Sequence, residues 1–112
     1  MAIDFSRGDL VLVNFSFGLH PAYVLYDNGD MDVVVCIITS TQRWEKEEVE
    51  IPRGEGNIKH TSYVRTHKIA TVSKNIVGKA IVGKVSEPFA LQVENTLFSW
   101  LKPSVGERGG FG

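Results

Sequence analysis

Along the first three-quarters of the chain the apolar residues come in short β-branched runs set apart by turn residues, and only after Ser86 does their spacing lengthen to three or four. That change of period constrains the fold most, because side chains change face at every residue of a strand but only every 3.6 residues of a helix. Residues 10–15, reached through Arg7-Gly8-Asp9, are apolar and β-branched enough for a core strand. Ser16-Phe17-Gly18-Leu19 reads as a brief turn, and residues 21–26 resume the strand pattern. Asp27-Asn28-Gly29-Asp30 is a hairpin signal, since Asn-Gly tolerates the positive φ angles of a tight turn. Residues 32–39 are the most β-prone stretch and are predicted to form the central strand. Glu48-Val49-Glu50-Ile51 alternates strictly, which predicts a strand with one apolar face and one wet, acidic face. Residues 61–65 and 68–72 read as two further strands, preceded by a loop at residues 53–57.

The last segment is helical in period. Ser86 can cap a helix whose first turn accommodates Pro88, where a missing N–H costs little. Phe89, Val93, Leu97 and Trp100-Leu101 then make one apolar stripe, read as core packing, with Lys102 in the last turn and Pro103 ending the helix. Residues 104–112 carry four glycines and read as a flexible tail. The expected fold is mostly β: a small antiparallel barrel or strongly twisted sheet, closed by one C-terminal helix.

A chain of 112 residues without an internal linker predicts a single domain over residues 1–103, large enough to bury a core without staples. No apolar run approaches the ~20 residues of a membrane span, and the N-terminus shows no signal-peptide pattern. The single cysteine, Cys36, lies inside an apolar run and reads as a small buried hydrophobe. These features predict a reduced, cytoplasmic protein that engages no membrane.

The net charge of −1 conceals a strong asymmetry. Residues 1–52 hold nine acids and three bases, whereas residues 53–84 hold seven bases (Arg53, Lys59, Arg65, Lys68, Lys74, Lys79, Lys84) and one acid, Glu55. A basic block of this kind points to a local anion-binding face; scattered solvated lysines are the alternative.

Metal and cofactor sites are not expected, because His20, His60 and His67 have no cysteine or carboxylate partners at ligand spacing. Nor is there a phosphate loop or a Gly-x-Ser-x-Gly elbow. What remains is a polar cluster at strand ends: His20, then Thr39-Ser40-Thr41, then Ser62 to Lys68 with Arg65 and His67 inside it. Imidazoles, hydroxyls and cations are the groups needed to deprotonate a ribose 2′-OH, steady a phosphorane and protonate the leaving 5′ oxygen. Histidine, with an unperturbed pKa near 6.5, suits both proton transfers. An arginine fork suits the developing charge on phosphorus.

The order of these pieces resembles a known family. Residues 5–15, then His20-Pro21 and residues 22–27, then residues 32–40, then Ser62-Tyr63-Val64-Arg65 with Lys68-Ile69-Ala70-Thr71, look like the MazF/PemK toxins of bacterial toxin–antitoxin pairs. The resemblance implies a homodimer of SH3-like or CcdB-like barrels. It further implies metal-independent, sequence-specific cleavage of single-stranded RNA, and a cognate antitoxin whose C-terminal segment blocks the RNA groove. Carried over residue by residue, it places Thr39 and Arg65 on the scissile phosphate. Ser40, Ser62, Lys68, Arg53 and Lys59 are the expected RNA contacts. The family's Arg-Pro falls at His20-Pro21, so its catalytic arginine is absent. Where PemK-like members often carry an aspartate, two residues after the arginine, this chain has His67. These departures suggest that His20 and His67 form an acid/base pair in place of arginine and aspartate. Two alternatives stay open: a family member of weak or no activity that binds RNA or an antitoxin, and a CcdB-like toxin directed at a protein such as gyrase, for which Trp100 is the only hint.

Overall fold

Phe15 pairs with Gly18 and leaves Ser16 and Phe17 as a two-residue turn, so the first strand, β1 (Asp9–Phe15), folds straight back into β2 (Gly18–Tyr26). Gly18 has φ of +128°, a region that costs glycine nothing and other residues several tenths to a few kcal/mol. The computed structural model describes residues 4–101. It continues with β3 (Asp32–Thr39), β4 (Glu48–Ile51), β5 (Ser62–Ser73), β6 (Gly83–Lys84) and the helix α1 (Glu87–Leu101). Short 3₁₀ turns lie at Glu55–Asn57 and Lys74–Ile76. The predicted Lys102 and Pro103 helix end and the 104–112 tail lie outside the described residues.

All strand pairings are antiparallel, and the sheet order is β4-β5-β3-β2-β1-β6. The fold is mostly β: a six-stranded sheet curled into a half-barrel with one C-terminal helix. As expected, β3 is central. The β2–β3 hairpin also forms, but through a loop at residues 27–31 in which Gly29 alone has positive φ. Its tightness comes from side chains: Asp27 accepts from Gly29 N–H at 2.8 Å, and Asp30 accepts from Asp32 N–H at 2.8 Å.

The two strands expected at residues 61–65 and 68–72 are one. Val64 pairs with Ile38 and Ile69 with Cys36, so the four residues 65–68 stand opposite the single residue Ile37 as a wide bulge. The chain does not leave the sheet there, because β4 holds the other edge: Glu48 pairs with Arg65, and Thr66 N–H donates to the Glu47 carbonyl at 3.2 Å.

Alternation in β1, β2 and β3 sorts the core into two layers. Leu10, Tyr23, Cys36 and Ile38 pack with Phe89, Ala90 and Val93 of α1, whereas Val11, Val13, Ala22, Val24, Val33 and Val35 form a second layer with Phe5 and Val77. Each such valine, leucine or phenylalanine adds roughly 1.5–3 kcal/mol. The helix begins as expected, the Ser86 hydroxyl accepting from Phe89 N–H at 3.4 Å, and Arg7 anchors it through Glu87 and Glu94. Cys36 is fully buried, and burial pushes its thiol pKa up to about 12. It is an inert core residue.

Candidate active site

At the end of β3 three strands contribute side chains to one cavity of about 480 Å³. From β2 and its turn come His20, Pro21 and Phe17; from β3 and just beyond it, Thr39 and Ser40; from β5, Ser62, Arg65 and Lys68. The strand order explains the convergence, since β2 and β5 flank β3. The bulge takes Arg65 and Lys68 out of the pairing with β3 at this end of the sheet.

Each wall is locally fixed. The His20 ring lies 5.2 Å from that of Phe17 at 51°, and Phe17 in turn stacks on Phe15 at 4.9 Å. The Thr39 hydroxyl accepts from Thr41 N–H at 3.3 Å, a long bond that turns the oxygen toward the start of the β3–β4 connection. Lys68 makes no ion pair among the described residues.

Arg65 is held from behind by a residue the sequence pattern misplaced. Glu48, expected on the wet face of β4, is buried with a side-chain accessibility of 0%. Its Oε2 accepts from Arg65 Nε at 2.7 Å, and its Oε1 accepts from the N–H groups of Arg43 and Trp44 at 2.8 and 3.1 Å. Burial alone would raise the carboxyl pKa; the two backbone donors and the guanidinium outweigh it and leave Glu48 below the usual carboxylate range. Alternation predicted the burial of Val49 and Ile51 but not that of Glu48, because its partner lies 17 residues away and only strand pairing brings the two together.

His67 sits behind the cavity rather than on its wall. Its Nε2 is 3.4 Å from Arg65 Nη2, its Nδ1 is buried without a partner, and its ring stacks on Trp44 at 4.4 Å and 17°. Because arginine only donates, Nε2 is the acceptor and Nδ1 carries the proton. Burial, then the neighbouring Arg65 cation, lowers the His67 pKa and keeps the ring neutral. His20 and His67 therefore do not face each other across the cavity. Arg53 and Lys59 lie together in a separate depression with Asn57 and Val82, away from the cavity.

The expected anion face is also thinner than the sequence count suggests. Lys74 pairs with Asp27 and Asp4 at 2.9 and 3.0 Å, Lys84 with Asp9 at 3.2 Å, and Arg65 with Glu48. Three cations of the basic block are thus spent against the acidic first half. Trp100 has a structural attachment: its Nε1 donates to Thr66 Oγ1 at 2.8 Å, and Thr66 donates on to the Glu47 carbonyl at 2.6 Å.

Solved structures share this architecture. An endoribonuclease from a mycobacterial species, solved with its cognate antitoxin, superposes with a TM-score of 0.75 at 23% identity, covering 88% of this chain and 96% of that one. The Mycobacterium tuberculosis toxin MazF-mt6 gives 0.74 at 17% identity, covering 86% and 98%. A MazE–MazF structure from Deinococcus radiodurans gives 0.72 at 22% identity, covering 91% and 99%. No curated protein matches by sequence. The curled sheet with its single closing helix is thus the fold of the MazF toxins. A sequence model described as PemK-like, MazF-like toxin of type II toxin-antitoxin system matches residues 6–101, and the chain belongs to that family. Among the described residues no helix is long and apolar enough to cross a membrane.

Proposed function

We propose that the protein is the toxin of a toxin–antitoxin pair and cleaves single-stranded RNA, mRNA included, at short sequences by attack of a ribose 2′-OH on the adjacent phosphate. The observation that carries this reading is the convergence of an imidazole, a hydroxyl and a guanidinium from three strands on one cavity. In the proposed step His20 takes the 2′-OH proton, O2′ bonds to phosphorus, and the P–O5′ bond breaks. The products are a 2′,3′-cyclic phosphate and a 5′-OH, whose oxygen takes up a proton from His20 or from water. Thr39 donates to a non-bridging oxygen, and Arg65 opposes the charge that develops there. His67 acts through Arg65, as a positioning residue, in place of the second proton-transfer partner suggested by the sequence. Side chains alone supply this chemistry, so no metal enters the scheme.

Ser40, Ser62 and Lys68 line the same cavity and are proposed to contact the RNA backbone there. Arg53 and Lys59 would engage only an RNA that extends to the second depression. A cytoplasmic homodimer fits this reading, with the groove beside the interface open to an antitoxin's C-terminal segment. Support for a second copy comes from α1, whose outer side exposes Leu91, Phe98 and Leu101 in one stripe. The tie from Trp100 to Thr66 favours a structural role for that tryptophan over one in protein targeting.

Incubation of the purified protein with a long unstructured RNA, in EDTA, tests the reading. Fragments ending in 2′,3′-cyclic phosphate and 5′-OH are expected. Arg65→Ala should slow their formation by about a hundred- to a thousandfold while weakening RNA binding far less. His20→Ala should slow it ~10²–10⁴-fold. Intact RNA after prolonged incubation with wild-type protein would overturn the proposal.

A further inference from the structure

Trp44 has no role in the scheme above, yet its indole is both exposed and fixed. It lies in the connection between β3 and β4, with one face stacked on His67 and 52% of its surface open to solvent. The backbone beneath it is tied down: the Trp44 carbonyl accepts from the N–H groups of Glu47 and Glu48 at 3.1 and 2.9 Å, and Trp44 N–H donates to Glu48 Oε1. The other oxygen of that carboxylate holds Arg65. One buried group therefore sets the distance between a flat aromatic surface and the guanidinium that lines the cavity.

A nucleic-acid strand offers the matching pair, a flat base attached to a phosphate. A base laid on the open indole face would extend a column that already contains Trp44 and His67 in near-parallel planes. Stacking accepts any base, because every base has a π face, and a cation nearby supplies the backbone contact. We infer that the outer face of Trp44 is a nucleobase-stacking subsite for the nucleotide adjoining the phosphate held at Arg65. The inference rests on the RNA-cleaving reading and names a contact within it.

The test uses unstructured 2′-O-methyl RNA of mixed sequence, which lacks the attacking hydroxyl, and an abasic strand of equal length. Trp100→Phe leaves Trp44 as the sole indole of the chain, which has two tryptophans. In that variant the base-bearing strand should quench emission and the abasic strand should not. Trp44→Ala should bind the base-bearing strand about five- to a hundredfold more weakly. Its salt dependence should match wild type, since no cation is lost. Trp44→Tyr, which keeps a ring over His67, should recover most of the affinity and serves as the folding control. Equal quenching by both strands, or unchanged affinity in Trp44→Ala, would overturn the subsite while cleavage by the wild type left the RNA reading standing. A wild-type protein that neither binds nor cuts RNA would overturn both.

Discussion

Replacing Glu48 by glutamine keeps the side chain's shape and removes its charge, which isolates what the carboxylate does. In the native arrangement Oε1 serves the Arg43 and Trp44 N–H groups at 2.8 and 3.1 Å, and Oε2 serves Arg65 Nε at 2.7 Å. An amide offers one acceptor oxygen. With that oxygen turned to the two loop donors, its NH₂ group meets the Arg65 N–H, donor against donor. The loss is at least one hydrogen bond to a charged partner, about 1.5–3 kcal/mol. Water can replace little of it, because the Glu48 side chain is fully buried and that of Arg65 is 18% accessible. At ~4–8 °C per kcal/mol for a domain of this size, Glu48→Gln should melt roughly 6–24 °C below wild type. Glu48→Ala, which strands all three donors, should cost about 3–5 kcal/mol.

Circular-dichroism melts at pH 7 of wild type, Glu48→Gln, Arg65→Met and the double variant complete a cycle whose coupling should exceed about 1 kcal/mol. The pH dependence carries a sign as well. A carboxyl held below its ordinary 4.5 in the folded state gives stability that is present above that value and lost as the pH falls through the lowered one. The gap between wild type and Glu48→Gln should therefore narrow in acid. A Glu48→Gln protein melting within about 2 °C of wild type, or strictly additive variants, would refute the claim that this carboxylate holds Arg65.

Protonation of His67 should destabilise the fold. Its lowered pKa means that the unfolded chain binds the proton more readily, so stability falls as the pH drops below 6.5; urea unfolding between pH 7.5 and 5 should show this slope, and His67→Gln should remove part of it. Cys36 should resist iodoacetamide in native buffer and react once the protein is unfolded in guanidinium, as expected of a buried thiol with a pKa raised to about 12; rapid labelling of the native protein would contradict that placement.

Local pattern fixed the parts of the fold that local physics governs. The central strand, the Ser86 cap and the Phe89–Val93–Leu97 stripe of α1 could be read directly, because each depends on neighbours within a few residues. The continuity of β5 could not, because nothing in residues 65–68 announces that β4 will hold their other edge. The same limit hid the neutralisation of Lys74 by Asp27 and of Arg65 by Glu48: sequence blocks of charge do not show which opposite charge the sheet will bring alongside. His20, Thr39, Ser40, Ser62, Arg65 and Lys68 stand at or near strand ends in the sequence pattern, and strand ends do converge here. His67 shares a strand with Arg65, yet the bulge turns it toward Trp44.

In a regular strand, one inserted residue would flip every later side chain to the opposite face. The excursion at residues 65–68 relaxes that rule locally, because the pairs Ile38–Val64 and Cys36–Ile69 pin the register on either side of it. Between those pins Arg65 and Thr66 stay tied to Glu48 and to the Glu47 carbonyl, so the freedom the excursion offers without disturbing Ala70 or Val72 falls at Lys68. Lys68 makes no ion pair among the described residues, so a change of its side chain leaves both pinned pairs in place.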